Sequence, residues 1–121
     1  MLIRSKLRNS IISFLLVSIA GCANQERDRK EQVLKKDLYD MRTAIDQYTQ
    51  DKSKAPQHLD DLVTAGYLHA IPKDPFTNSA TTWVEVREDA LQSVDRLKPG
   101  ISDVRSGSGQ TSRDGSRYRD W

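Results

Sequence analysis

An apolar stripe in the first half of this 121-residue chain constrains its fold more than any other sequence feature. Leu34, Leu38, Met41, Ile45 and Tyr48 follow one another at spacings of four, three, four and three residues. This spacing places all five side chains on one face of an α-helix. The stripe lasts barely two heptads, which is shorter than a coiled coil requires. The pattern therefore predicts a helix over residues 32–50 that packs on a small head domain.

Three further elements are predicted from the rest of the chain. Residues 58–65 predict a short helix, with Leu59, Leu62 and Val63 on one face and Gly66 as the residue that ends it. Alternating β-branched residues predict a strand at 81–86, and 101–104 predicts a second short strand. Residues 88–100 are compatible with a helical turn or a loop. By composition alone, the Ser, Gly and Arg residues of 105–121 predict a disordered tail.

The first 22 residues have the organisation of an export signal. Arg4, Lys6 and Arg8 precede an uncharged apolar run at 11–20. As a helix this run would rise about 15 Å, which is half of a hydrocarbon core and typical of a signal peptide. Ile19-Ala20-Gly21-Cys22 then resembles the bacterial lipobox. The resemblance implies cleavage before Cys22 and lipid attachment to its thiol, whereas the alternative is a plain signal peptide or a membrane span with an idle cysteine.

Charge and cysteine content limit what the remaining chain can do. Residues 1–21 hold three bases and no acid, so residues 22–121 hold 16 bases and 17 acids. Removal of the leader therefore removes the support for general nucleic-acid binding. A single cysteine excludes an intramolecular disulfide. Residues 22–31 have no large apolar side chain and predict a polar tether or a solvated first helical turn.

Several segments together resemble the major, G-type pseudopilin of type II secretion systems and related pilin-like heads. They are the helix 38–48, Leu59-Asp60-Asp61-Leu62, Gly66-Tyr67-Leu68, Ile71-Pro72-Lys73-Asp74-Pro75-Phe76-Thr77-Asn78, Asp103-Val104-Arg105-Ser106-Gly107 and Tyr118-Arg119-Asp120-Trp121. The similarity covers residues 33–121, and the block from Gly66 to Pro75 is its most specific part.

The resemblance implies an α+β, pilin-like head, in which one long N-terminal amphipathic helix packs on a small antiparallel β-sheet with a C-terminal loop. In this arrangement Tyr118 and Trp121 pin the loop to the head. The expected organisation is a lipoprotein signal peptide at 1–21, a lipid-anchored tether at 22–31 and the head at 32–121. The two resemblances together imply a non-enzymatic protein that docks to secretion or pilus-like proteins. A lipid at Cys22 holds this protein in the bacterial envelope. Because Ala23 and not Asp follows the cysteine, the expected location is the periplasmic face of the outer membrane.

Two departures from the family change this expectation. The family's continuous apolar half-helix, which forms the filament spine, is replaced here by the lipobox and charged residues, so we expect a head that does not polymerise. The family also binds calcium in its C-terminal loop, a cation that needs six to eight oxygen ligands. In this sequence only Asp103, Asp114 and Asp120 offer carboxylates, and Arg105, Arg113, Arg117 and Arg119 surround them. Calcium at these aspartates is a weak expectation, and Asp–Arg ion pairs are the stronger one.

No other pattern predicts a reaction centre. His58 and His69 lie eleven residues apart without metal-ligand spacing, and no nucleophile stands in a recognised catalytic motif. We therefore expect no cofactor, no nucleic-acid partner and no small-molecule substrate. The alternative is an orphan lipoprotein that uses the same head to bind a ligand or to act as a scaffold. A deep apolar pocket would favour that alternative, and the small number of apolar residues predicts none.

Overall fold

The computed structural model describes the backbone of residues 2–94 and 98–121, and the side chains of 23–94 and 98–121. In chain order the elements are α1 (Leu2–Lys52), α2 (Leu59–Thr64), β1 (Val84–Arg87) and β2 (Ile101–Arg105). A one-turn 3-10 helix, Tyr118–Asp120, follows β2. The predicted α+β class, with one long helix and a small antiparallel sheet, is confirmed. The side chains of the predicted leader at 1–21 and of Cys22 lie outside the described residues.

Helix α1 carries the core of the molecule on the predicted stripe. Leu34, Leu38, Met41 and Ile45 are at most 2% exposed, and Tyr48 packs on them from the edge. Burying each such side chain stabilises a fold by about 1.5–3 kcal/mol. The side chains of residues 23–30 are exposed and their backbone is helical, but they do not form a first turn, because α1 begins at Leu2 and is much longer than the helix predicted over 32–50.

Helix α2 begins and ends at the signals that the sequence contains. The Asp61 carboxylate accepts hydrogen bonds from the backbone N–H groups of Gln57 and His58, at 2.9 and 3.0 Å, and so satisfies donors at the start of the helix. Gly66 follows the helix with a φ of +87°, the left-handed conformation expected of a terminating glycine. Leu59 and Leu62 are buried against the core.

The two strands form an antiparallel ladder that packs on α1 through β2. Val84 pairs with Arg105 and Val86 with Asp103, and the register shifts between Val86 and Arg87. Ile101 and Val104 of β2 are fully buried in the core that α1 and α2 share. The strand predicted at 81–86 begins later, at Val84. Before it, Trp83 is buried and its indole N–H donates to the carbonyl of Pro72 at 2.8 Å.

The segments between and after the strands complete the head. In the segment after β1, the N–H groups of Gln92 and Ser93 both donate to the Asp89 carbonyl, which forms one helical turn, while residues 95–97 lie outside the described chain. The prediction of a disordered tail is wrong. Tyr118 has no exposed surface, and residues 106–121, called the C-terminal loop below, fold back on the head. Composition missed this because the partners of the loop are distant in sequence.

Candidate functional site

Arg42, in the C-terminal half of α1, connects the helix to β2 and to the C-terminal loop. The Nε of Arg42 donates to the Asp103 carboxylate at 2.7 Å. Its Nη2 donates to the backbone carbonyls of Val104, at 3.0 Å, and Trp121, at 2.6 Å. A guanidinium group has five donors in a fixed planar arrangement, which lets one side chain join three segments. Arg42 therefore joins α1, β2 and the C-terminal loop.

Three aromatic rings form the apolar part of the same contact. Tyr118 stacks on Phe76 with ring centroids 3.9 Å apart, and Trp121 meets Tyr118 edge to face at 4.9 Å. The Tyr118 hydroxyl donates to the Glu31 carboxylate at 2.8 Å. Burial, together with this hydrogen bond to Glu31, raises the pKa of Tyr118 to about 12, so the hydroxyl stays protonated at neutral pH. The expected role of Tyr118 and Trp121 in pinning the loop is confirmed.

A buried carboxylate ties the start of the C-terminal loop to the turn at residues 74–79. Asp74 is fully buried, and its carboxylate accepts hydrogen bonds from the Ser106 hydroxyl at 2.5 Å and from the backbone N–H of Phe76 at 2.8 Å. The Ser106 hydroxyl oxygen in turn accepts from the N–H of Ser108. A buried charge is tolerated only when it is hydrogen-bonded in this way. The contact therefore fixes where the loop leaves β2.

A second carboxylate organises the tip of the C-terminal loop. Asp114 accepts hydrogen bonds from the hydroxyls of Ser112 and Ser116 and from the Ser116 N–H. These hydrogen bonds lower the pKa of Asp114 to about 2. Trp121 Nε1 donates to the Ser116 hydroxyl at 2.9 Å, so the aromatic cluster and the tip support each other.

The three aspartates of the expected calcium site have separate partners. Asp103 pairs with Arg42, Asp114 accepts from serines, and Asp120 is exposed with only its backbone carbonyl accepting from Arg105. Among the described residues, no group of three or more His, Cys, Asp or Glu side chains is arranged to hold a metal ion. Calcium binding at these aspartates stays a prediction. An Asp–Arg pair is present, but its main arginine comes from α1 and not from the loop.

The two histidines occupy surface positions. His58 precedes α2, and its Nδ1 lies 3.8 Å from the Glu85 carboxylate. His69 is exposed beside an open cleft of about 310 Å³ between α1 and residues 66–69. Polar and aromatic side chains line this cleft, among them Tyr39 and Tyr67.

A second groove lies at the N-terminal end of the described part of α1, next to Cys22 in the chain. It has a volume of about 230 Å³. One wall consists of Ala23, Glu26, Arg27 and Lys30 of α1, and the other of Phe76 and Gln110. Arg113 lies 3.6 Å from Asp28 on the same side of the head. The C-terminal loop is therefore close to the residue that follows the predicted lipidation site.

Three residues that organise this region were not singled out from the sequence for these roles. Arg42, Asp74 and Glu31 each contact groups at least 32 positions away along the chain. On the helical wheel Arg42 is a neighbour of Leu38 and Ile45, and Glu31 is a neighbour of Leu34. Their closeness to the stripe was the available signal, but it did not indicate which groups they would meet.

No family model, curated protein or solved structure matches this chain. Within the part of the chain that the structure describes, none of the helices has a stretch both long and apolar enough to span a membrane.

Proposed function

We propose that this chain is a lipid-anchored protein of the bacterial envelope that docks to protein partners of a secretion or pilus-like machine. In this proposal it acts without catalysing a reaction. The observation that carries the proposal is the continuity of α1. Its exposed residues 23–30 begin directly after Cys22, and the same helix then enters the head through Leu34. A lipid on Cys22 would therefore attach to a helix that is itself part of the head.

The length of α1 gives the head two ends with different surroundings. From Ala23 to Lys52 the helix rises about 44 Å at 1.5 Å per residue. Val94 lies beside Lys54 and Ala55, in a groove at the end of α1 that is distant from Cys22. With Cys22 in the membrane, the segment 88–94 would either point away from the bilayer or lie along its surface. A protein partner has access to the segment in both orientations.

The surface that we assign to a protein partner is the turn that carries Leu91 and Val94. Their side chains are 77% and 78% exposed, and they lie three residues apart on the turn that Asp89 closes. Isolated exposed aliphatic residues are common on protein surfaces, but adjacent ones more often mark a contact. The resemblance of residues 33–121 to pseudopilin heads supports a partner from a secretion or pilus-like assembly.

A pull-down from native membranes tests both halves of the proposal. Wild-type protein should sediment with membranes, carry a lipid on Cys22 by mass spectrometry, and recover secretion or pilus-like components after mild crosslinking. Cys22→Ser should lose both the lipid and the membrane association, because acyl chains anchor a protein by about 0.8 kcal/mol for each buried methylene group.

A pair of surface variants separates docking from anchoring. Leu91→Ser with Val94→Ser should remain on the membrane and lose the recovered partners. Tyr39→Ser, at a side chain that is 70% exposed on α1, is the matched control and should keep them. A soluble wild-type protein would contradict the anchor, and recovery of no secretion or pilus-like component would contradict the docking function.

A further inference from the structure

Charge is distributed unevenly along the head. Residues 23–35 hold four bases and three acids, and residues 106–121 hold three bases and two acids. The intervening residues 36–105 hold nine bases and twelve acids. The first two segments pack against each other through Asp28 and Arg113 and through Glu31 and Tyr118. The fold thus gathers the excess of positive charge at the end of the head that follows Cys22.

The acids at this end have different partners, and one of them, Asp28, pairs with Arg113. Glu31 accepts the Tyr118 hydroxyl, and Asp114 accepts its hydrogen bonds from Ser112 and Ser116. In the described part of the chain, no carboxylate comes within 4 Å of the guanidinium groups of Arg117 or Arg119. The sequence alone suggested that acids in the loop would neutralise its arginines. Instead, serine hydroxyls bind Asp114 in the loop and the Tyr118 hydroxyl binds Glu31 in α1, and both carboxylates keep their charge. Arg117 and Arg119 stay exposed, and the two segments together hold seven bases against five acids.

The arginines of the loop lie close to the start of the described part of α1. Arg113 is 3.6 Å from Asp28, a residue about 9 Å along the helix axis from Cys22. A Cβ on Gly109 would lie 3.8 Å from Arg119 Nη2, and the next residue, Gln110, shares a groove with Ala23. Arg117 immediately precedes Tyr118, whose hydroxyl bonds to Glu31. The separation of about 9 Å between Asp28 and Cys22 along the helix is comparable to the Debye length, which is about 8–10 Å at moderate salt.

We propose that Arg113, Arg117 and Arg119 form a basic surface that binds the anionic headgroups of phospholipids beside the lipid anchor. This inference rests on the proposed anchoring at Cys22. One lipid attachment leaves the head free to tilt, whereas an added basic surface holds the C-terminal loop against the bilayer and fixes the orientation of the head. The turn with Leu91 and Val94 would then point in a defined direction.

The test uses the lipidated protein reconstituted into vesicles, after mass spectrometry has established the lipid on Cys22. The vesicles consist of phosphatidylcholine, with or without phosphatidylglycerol, and contain a trace of lipid with a dansyl-labelled headgroup. Trp121 in the loop and Trp83 in the head are the fluorescence donors, and Trp121 is the one on the C-terminal loop. We expect energy transfer from tryptophan to dansyl to be higher with phosphatidylglycerol and to fall when salt is raised, because salt screens surface charge.

Two sets of variants identify the groups responsible. Arg113→Gln with Arg117→Gln and Arg119→Gln should abolish the dependence on phosphatidylglycerol. Each charge that is removed should lower the ratio of docked to undocked heads about fivefold. The corresponding Arg→Lys variant keeps the charge and should keep the effect. Lys52→Gln with Lys54→Gln and Lys73→Gln removes three charges elsewhere and should behave as wild type. Circular dichroism checks that each variant is folded.

The possible failures are distinguishable. Absence of lipid on Cys22 would overturn the proposed anchor and this inference with it. Equal energy transfer in both kinds of vesicle, with the lipid present, would overturn the inference and leave the anchor standing. Loss of the effect in the Arg→Lys variant would also overturn it, because it would indicate that the geometry of the guanidinium groups, and not a charged surface, produces the effect.

Discussion

At the scale of single residues, Gly107 is a position, like Gly100 beside Ala55, where the close approach of two chain segments leaves no room for a side chain. A Cβ on Gly107 would lie 2.0 Å from the carbonyl oxygen of Thr82, which is backbone and cannot rotate away. The C-terminal loop begins at this point, so any shift there is transmitted to the Asp74–Ser106 contact. The glycine is thus required by packing and not by its own backbone conformation.

The variant Gly107→Ala should destabilise the protein by about 2 kcal/mol, the usual cost of forcing an extra carbon into a packed site. Gly109→Ala is the matched control, because the Cβ there would be 3.8 Å from Arg119 Nη2, an ordinary contact. Urea denaturation of both variants measures the difference. Equal stabilities for the two variants would show that the Thr82 contact does not constrain the loop.

The second residue-scale prediction concerns Asp114 and pH. Its pKa in the folded state is lowered from 3.8 to about 2 by hydrogen bonds from Ser112 and Ser116. A lowered pKa means that the ionised carboxylate stabilises the fold above pH 3.8, and that this contribution disappears as pH falls toward 2. The free energy of unfolding of wild type minus that of Asp114→Asn should therefore be constant at neutral pH and shrink between pH 3.8 and 2.

Removal of the two donors provides an independent check on the same prediction. In Ser112→Ala with Ser116→Ala, the pKa of Asp114, followed by NMR titration of its carboxyl carbon, should return toward 3.8. An unchanged pKa in that variant would mean that some other group stabilises the carboxylate.

At the scale of elements, the C-terminal loop depends on the contact of Tyr118 with Phe76, Trp121 and Glu31. Tyr118→Ala removes a fully buried ring and should lower the free energy of unfolding by about 3–5 kcal/mol. Hydrogen exchange should increase most in residues 106–121, while Leu38 to Ile45 of α1 stay protected by their own stripe contacts.

Tyr118→Phe provides the graded comparison, since it keeps the ring and removes only the hydrogen bond to Glu31. It should cost about 1 kcal/mol and leave the loop protected. Fast exchange of the loop in the wild-type protein would show that the aromatic cluster does not hold it.

For the whole molecule, the described surface of α1 before Leu34 predicts that the protein does not polymerise. Residues 24–31 are polar or charged, and residues 23–30 are exposed, whereas a filament spine requires a wide apolar surface on every subunit. We expect purified, unlipidated Cys22→Ser protein to remain monomeric at high concentration. Light scattering and electron microscopy measure this, and ordered fibres would contradict the prediction.

Local signals in the sequence were sufficient to predict the apolar stripe, the glycine after α2 and the two strands. An amphipathic helix is predicted from apolar residues three and four positions apart. A glycine that ends a helix is predicted because glycine readily adopts a positive φ. The predicted start of β1, at residue 81, was too early. Trp83 has strand-forming character, but its indole donates to Pro72 outside the ladder. The tail was wrongly predicted from composition, since the partners of Tyr118 are distant in sequence, with Phe76 lying 42 and Glu31 lying 87 positions away.

Periodicity and composition were enough to predict the α+β class, the buried face of α1 and the charge excess of residues 1–21, because both act through neighbours along the chain. Only the tertiary structure decided that Arg42 binds Asp103, that serines satisfy Asp114, and that the loop arginines lie near the start of the described helix. These contacts join residues far apart in sequence, and their partners are chosen by the packing of α1 on β2. The same packing places the basic surface beside the position of the proposed anchor.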